Sequence, residues 1–160
     1  LTSYDGTEVS RGGTPIEVRS AEGDFPTRTG TIEKLRALKK QGFNTVAVTR
    51  PQQRWFYDMA AAEGLDIIDR AAVDCDPRGG DRTTDGTVAN DPAYLHRFLD
   101  RQAAMFYRRR SYPNVIGWSI GSESGNGYNM YKSYDLLKEL DSTRPVIYQW
   151  AEGEFNADEY

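Results

Sequence analysis

The residues best placed to do chemistry lie in GWSIGSESGNG, positions 117–127, where an apolar run breaks into a turn rich in glycine and serine that displays one carboxylate, Glu123. In parallel α/β folds, ligands gather at the carboxyl ends of strands, so a glutamate just past a strand faces the functional edge. A solvated loop glutamate among small residues is the alternative reading. The GxSxG nucleophile elbow is not matched, because Glu123 occupies the serine's place. The single histidine, His96, falls inside a predicted helix and reads as solvent-facing, which leaves a Ser/His/Asp triad without its base. No P-loop or dinucleotide fingerprint occurs. The single cysteine, Cys75, excludes an intrachain disulfide and a thiolate-rich zinc site.

A formal net charge of −4 argues against a nucleic-acid partner, which needs basic residues in excess and clustered. The one basic cluster, Arg108, Arg109 and Arg110, sits where a predicted helix ends and reads as helix termination. Apolar runs such as VIGW at 115–118 are far shorter than the roughly 20 residues a spanning helix needs, so no membrane partner is expected. The first residue is Leu1 rather than Met, so the chain reads as a processed or excised product. Its destination stays open, with periplasm or extracellular space set ahead of cytoplasm.

The elements that must hold Glu123 follow from periodicity. Ile16–Arg19 alternates apolar and polar like a short first strand, and residues 31–41 place Ile32, Leu35 and Leu38 on one helical stripe ahead of Gly42. Asn44–Thr49 is β-branched in character and predicts a second strand; residues 52–63 predict a helix carrying Trp55, Phe56 and Met59. Asp66–Asp69 predicts the third strand. Residues 70–90 show no periodicity and read as a long loop that either belongs to a site or lacks order. A helix opening at Asn90 or Asp91 with Pro92 at its first position then runs to about residue 110. Residues 115–120 predict the fourth strand, Tyr128–Leu140 a helix, and Pro145–Trp150 a fifth strand. Strands alternating with helices imply a parallel sheet. Two α/β architectures fit this count: a complete doubly wound sheet of flavodoxin type, binding a phosphate-bearing cofactor, or a partial (β/α)8 TIM barrel cut before its last strands.

Motif decides between them. The stretch from Arg109 to Tyr148, RRSYPNVIGWSIGSESGNGYNMYKSYDLLKELDSTRPVIY, resembles the β-galactosidase type family of retaining glycoside hydrolases, family 2, which reads similarly through "HPSVIxWSxGNESG" and "DxTRPV". Upstream, GGTPIEVR, FNTVAVTRPQQRWFYDMAAAEGLDIID and NDPAYL resemble further family segments in order and spacing, so the similarity covers most of the chain. The resemblance implies a (β/α)8 barrel with the acid/base glutamate after the fourth strand, where the strand count independently puts Glu123. It implies hydrolysis of a β-galactoside or similar carbohydrate by two carboxylates, the nucleophile lying two strands beyond this chain. Glu152 and Glu154 are weaker substitutes. The chain alone is then expected to be inactive. A partial barrel also leaves strand edges and apolar surface through which self-association is expected.

Several positions depart from the family pattern. Ser122 stands where the family has a sugar-binding asparagine, Arg50 where it has the histidine of "HYP", Arg70 replaces the glutamate of "IDE", and Gln149 that of "RPVxYE". The resemblance therefore implies an altered substrate, such as an anionic sugar held by Arg50, ahead of a non-catalytic carbohydrate-binding or scaffold homologue. Trp118 and Trp150, in the fourth and fifth strands, are candidates to floor a sugar site, whereas Trp55 reads as core. Some family members hold Mg with the acid/base glutamate and an "ExH" pair, whose positions fall on Asp74 and Asp76; paired loop aspartates can equally just solvate a turn.

Overall fold

The computed structural model describes residues 2–75 and 87–158. The chain opens with an antiparallel meander of β1 (Thr2–Tyr4), β2 (Val9–Arg11) and β3 (Thr14–Pro15). Five strands then form a parallel sheet in the order β4 (Ser20–Gly23), β5 (Thr45–Val48), β6 (Asp66–Arg70), β7 (Val115–Ser119) and β8 (Val146–Ile147). Between them run α1 (Thr31–Lys40), α2 (Arg54–Ala62), α3 (Leu95–Arg109) and α4 (Tyr128–Leu140). Each strand pairs with its successor and the order never reverses. A doubly wound sheet needs a reversal to place helices on both faces, whereas right-handed crossovers in unbroken order put every helix on one side. The sheet is therefore the wall of a partial TIM barrel, and the flavodoxin-like reading falls.

Register sorts the side chains into two rows. Val46 pairs with Ile67, and Trp118 pairs with Asp69 on one side and Val146 on the other. Val46, Val48, Ile67, Trp118 and Val146 are fully buried, and this row faces the helices. The opposite row, Glu22, Ala47, Ile68, Ser119 and Ile147, lines the concave inner face. Gly117 belongs to it as well: a Cβ there would sit 3.0 Å from Ile147 Cδ1, so any larger residue would press on the neighbouring strand's side chain.

The first parallel strand is Ser20–Gly23, not Ile16–Arg19. Ala21 and Gly23 pair with Val46 and Val48 and carry no alternation that a sequence pattern would reveal. Residues 16–19 instead form a connection pinned by Asn44, whose Oδ1 accepts from Arg19 N at 2.8 Å and whose Nδ2 donates to Glu17 O. The fifth strand shortens to Val146–Ile147, with a 3-10 turn over Gln149–Ala151 where an extended run was expected. The helix opening near Asp91 begins as a separate 3-10 turn, Pro92–Tyr94, with the Asp91 carboxylate capping Ala93 N. The meander docks at the amino ends of the strands, away from Glu123, through Arg11 to Asp66 at 2.5 Å.

One outward-facing carboxylate makes a testable consequence. Burial pushes the Asp69 carboxyl up to about 6, against the lowering effect of the bond it accepts from Tyr57 Oη at 2.6 Å. The native state therefore holds a proton that the unfolded chain releases, so stability rises as pH falls from above 6 toward 4. Asp69→Asn is expected to abolish this slope, a difference of order 3 kcal/mol near neutrality. Thermal midpoints at pH 7.5 and 5 check it; an unchanged slope in the variant would remove Asp69 as its source.

Candidate active site

Glu123 is carried by residues 121–127, the connection from β7 to α4 at the carboxyl edge of the sheet. The connection approaches the segment after β6 so closely that a Cβ on Gly121 would lie 3.0 Å from Val73, while Ser122 N donates to Val73 O at 2.8 Å. Backbone bonds then clamp both flanks of Glu123. Tyr148, buried at the end of β8, accepts from Ser124 N at 3.2 Å and donates to Gly125 O. Ser124 Oγ accepts from Cys75 N at 2.9 Å. Further along, Asn126 and Asn156 exchange a pair of side-chain bonds at 3.1 and 2.7 Å, both fully buried. Gly127 adopts φ +148° and a Cβ there would overlap Asn90 Oδ1, so glycine is required where the chain turns into α4. The Glu123 side chain itself is exposed, standing on this fixed backbone.

The connection borders a concave cavity of about 530 Å³ on the inner face of the sheet. Glu123, Ser122, Asp74 and Trp150 share its wall with Gln149. Trp118 does not. Because Ser119 faces inward, its neighbour must face outward, and Trp118 Nε1 donates to Asp141 Oδ2 at 2.9 Å beneath α3 and α4. It packs edge-on to Phe106 and under the Arg144 guanidinium, so it is core and not a sugar floor. Arg50 lies in an adjoining recess with Ser122 and Asp74, its guanidinium exposed and paired to Asp24 at 2.7 Å. Asp76 lies outside the described residues, and among those described no group of three or more His, Cys, Asp or Glu side chains is placed to hold a metal. His96 is exposed, as its helical position predicts.

Two charged groups enter the cavity: Arg70, read from the sequence as a changed pocket position, and Glu22, which sequence reasoning did not place there. Arg70 ends β6 on the inward row, its guanidinium mostly buried, 3.4 Å from Ser122 Oγ and 3.8 Å from Glu22 Oε1. Glu22 was missed because the first strand was set four residues too early; counting parity from Gly23 would have turned it inward. Neither Glu152 nor Glu154 lines the cavity, and Glu154 Oε2 accepts from Asn126 and from Tyr131 Oη at 2.9 Å. Among the described residues, the carboxylates that line the inner-face cavity are Glu22, Asp74 and Glu123.

Comparisons with known proteins agree with this arrangement. Residues 21–159 match the family described as glycosyl hydrolases family 2, TIM barrel domain. A β-galactosidase from Oenococcus oeni is 33% identical over 145 residues, 87% of this chain and 13% of its own length. One from Lactococcus lactis is 34% identical over 119 residues, 74% of this chain and 12% of its own. The chain thus spans about an eighth of the length of these curated relatives. A β-D-glucuronidase structure from Dictyoglomus thermophilum superposes with a TM-score of 0.71 at 20% identity, over 91% of this chain and 28% of that one, which shows the shared barrel. A sheet in unbroken order, a glutamate beyond its fourth strand and a match across nearly the whole chain lead to one assignment: this chain belongs to glycoside hydrolase family 2, as part of its TIM barrel domain.

Proposed function

We propose that this chain supplies the acid/base half of a retaining β-glycosidase site, with Glu123 donating a proton to the leaving glycosidic oxygen and later taking one from water. The observation that carries the reading is the position of Glu123 beyond the fourth parallel strand, on a backbone held at both flanks, at the rim of a cavity of sugar size. Double displacement needs a second carboxylate about 5 to 5.5 Å from the first. We assign that nucleophile to a part of the protein outside residues 1–160, in keeping with the eighth of the relatives' length that this chain spans. Trp150 and Ser122 are then the sugar contacts this chain offers.

The inward position of Arg70 favours a sugar bearing a carboxylate over a neutral one, and it takes the role first read for Arg50. Its long contacts to Ser122 and Glu22 leave the guanidinium available for a bidentate carboxylate.

The test uses the whole protein that carries this chain, with matched aryl β-galactoside and β-glucuronide substrates followed by proton NMR. The expected first product is the β-anomer, and the glucuronide is the better substrate. Release of the α-anomer would overturn the retaining assignment. Binding of sugar without any turnover would replace the enzyme by a carbohydrate-binding homologue.

A further inference from the structure

A second cavity, of about 250 Å³, lies between the end of β6, α2 and α3; it is lined by three arginines of α3, Arg101, Arg108 and Arg109, and by Arg70, whose guanidinium turns to the first cavity, against one carboxylate, Asp69. That concentration of positive charge stands out in a chain whose net charge is −4. Arg101 and Arg108 are seven residues apart, two helical turns or about 10.5 Å along α3, so they project from the same face. Ala104 sits between them, and its single methyl group leaves the space open.

One carboxylate, Asp69, faces the cluster and acts coulombically on Arg109 and Arg108, so the internal partners offset only part of its charge. Asp69 is engaged by Tyr57 Oη at 2.6 Å. Arg109 lies over the Tyr57 ring, 4.0 Å from its centroid, and donates to Gln52 O at 3.1 Å, which fixes it as a wall without cancelling its charge. Among the described residues, Arg101 and Arg108 form no ion pair and donate no side-chain hydrogen bond. Like charges gathered around one cavity repel, and a compact anion with several acceptor oxygens converts that repulsion into charge-assisted bonds. Guanidinium groups match the tetrahedral oxyanion well, since each presents two parallel donors.

We propose that this cavity is a binding site for a phosphate-type oxyanion, clamped between Arg101 and Arg108 of α3 with Arg109 as its fixed wall. The site is separate from the proposed glycosidase cavity, touching it only through Arg70, and does not depend on that function.

The experiment titrates the whole protein that carries this chain with inorganic phosphate and, in a second arm, with glycerol 3-phosphate, at constant ionic strength set by sodium chloride, followed by calorimetry and phosphorus NMR line width. Saturable binding is expected, weakened at least tenfold by the double substitution Arg101→Gln, Arg108→Gln, whose exposed positions leave the fold intact. Ala104→Leu fills the cavity without changing charge and is expected to weaken binding as well. Tighter binding of inorganic phosphate identifies the free ion as ligand; tighter binding of glycerol 3-phosphate identifies a phosphate carried on a small metabolite. Non-saturating broadening, or binding unchanged in the arginine double variant or in Ala104→Leu, overturns the proposal.

Discussion

Replacing Glu123 by glutamine is expected to lower kcat on a β-glycoside with a poor leaving group by about 10²- to 10⁴-fold, the usual contribution of a positioned general acid/base. Glutamine keeps the shape and removes the proton, so KM should change much less than kcat. Two further readouts separate loss of proton transfer from loss of structure. An activated aryl glycoside, whose leaving group departs without protonation, should keep most of its rate in the first step. Added azide should then restore turnover and yield a β-glycosyl azide, because the anion replaces the water that Glu123 no longer activates. The backbone carrying the residue is held by Tyr148, Ser124 and Val73 through bonds that do not involve the Glu123 side chain, so the fold of the variant is expected to be intact. Equal rates for wild type and variant would remove Glu123 from the mechanism.

The second large effect is on stability. Asp141→Ala is expected to cost about 3 to 5 kcal/mol, the usual range for breaking a buried ion pair by removing one partner. Asp141 Oδ2 accepts from both Trp118 Nε1 and Arg144 Nη1 at 2.9 Å, and both of its partners are buried. Arg144 in turn donates to the carbonyls of Val115, Arg110 and Tyr112, so it cannot swing out to water without breaking the end of α3 from the start of β7. Removing Asp141 leaves a buried cation and a buried indole N–H unanswered. Thermal denaturation should show a midpoint lower by about 10 °C, at 2 to 4 °C per kcal/mol for a chain of this size. Burial pushes the Asp141 carboxyl up, but the bonds from Thr143, Arg144 and Trp118 outweigh it and hold it below its ordinary 3.8. Its contribution is therefore full above that value and is lost as pH falls through the lower native one. An Asp141→Ala midpoint within 2 °C of wild type would show the cluster to be dispensable.

How much of this could be read from residues alone depended on whether an element announces itself. The fourth parallel strand did, because Val115, Ile116 and Trp118 form a wholly buried run that ends at a glycine-rich turn. Helices α1 and α4 were equally clear, their expected ranges, 31–41 and Tyr128–Leu140, agreeing with the observed ones. The first parallel strand did not, since SAEG has neither β-branched residues nor alternation and is a strand only because Val46 and Val48 pair beside it. That one displacement hid Glu22 from the site. Trp118 was misplaced for a related reason: a tryptophan in a strand beside a catalytic turn has two possible faces, and only register against β6 and β8 decides between them. Arg70 was visible as a changed residue, yet its role in the cavity needed the same parity. Strand type was therefore legible, and strand phase was not.

The unbroken succession of β4 to β8 bears on how the chain is assembled. Every parallel strand finds its partner in the next one along the chain, across one intervening segment that holds the covering helix. Nothing in the sheet waits for a distant strand to arrive before it can pair. Structure can therefore accrete in the direction of synthesis, each βα unit docking on the edge left by its predecessor, with loop-closure entropy spent in small instalments. The exception is the connection bearing Glu123, which is tied by Tyr148 and Asn156 from beyond the strand that follows. The turn that carries Glu123 is thus set last, after the strands that support it have paired.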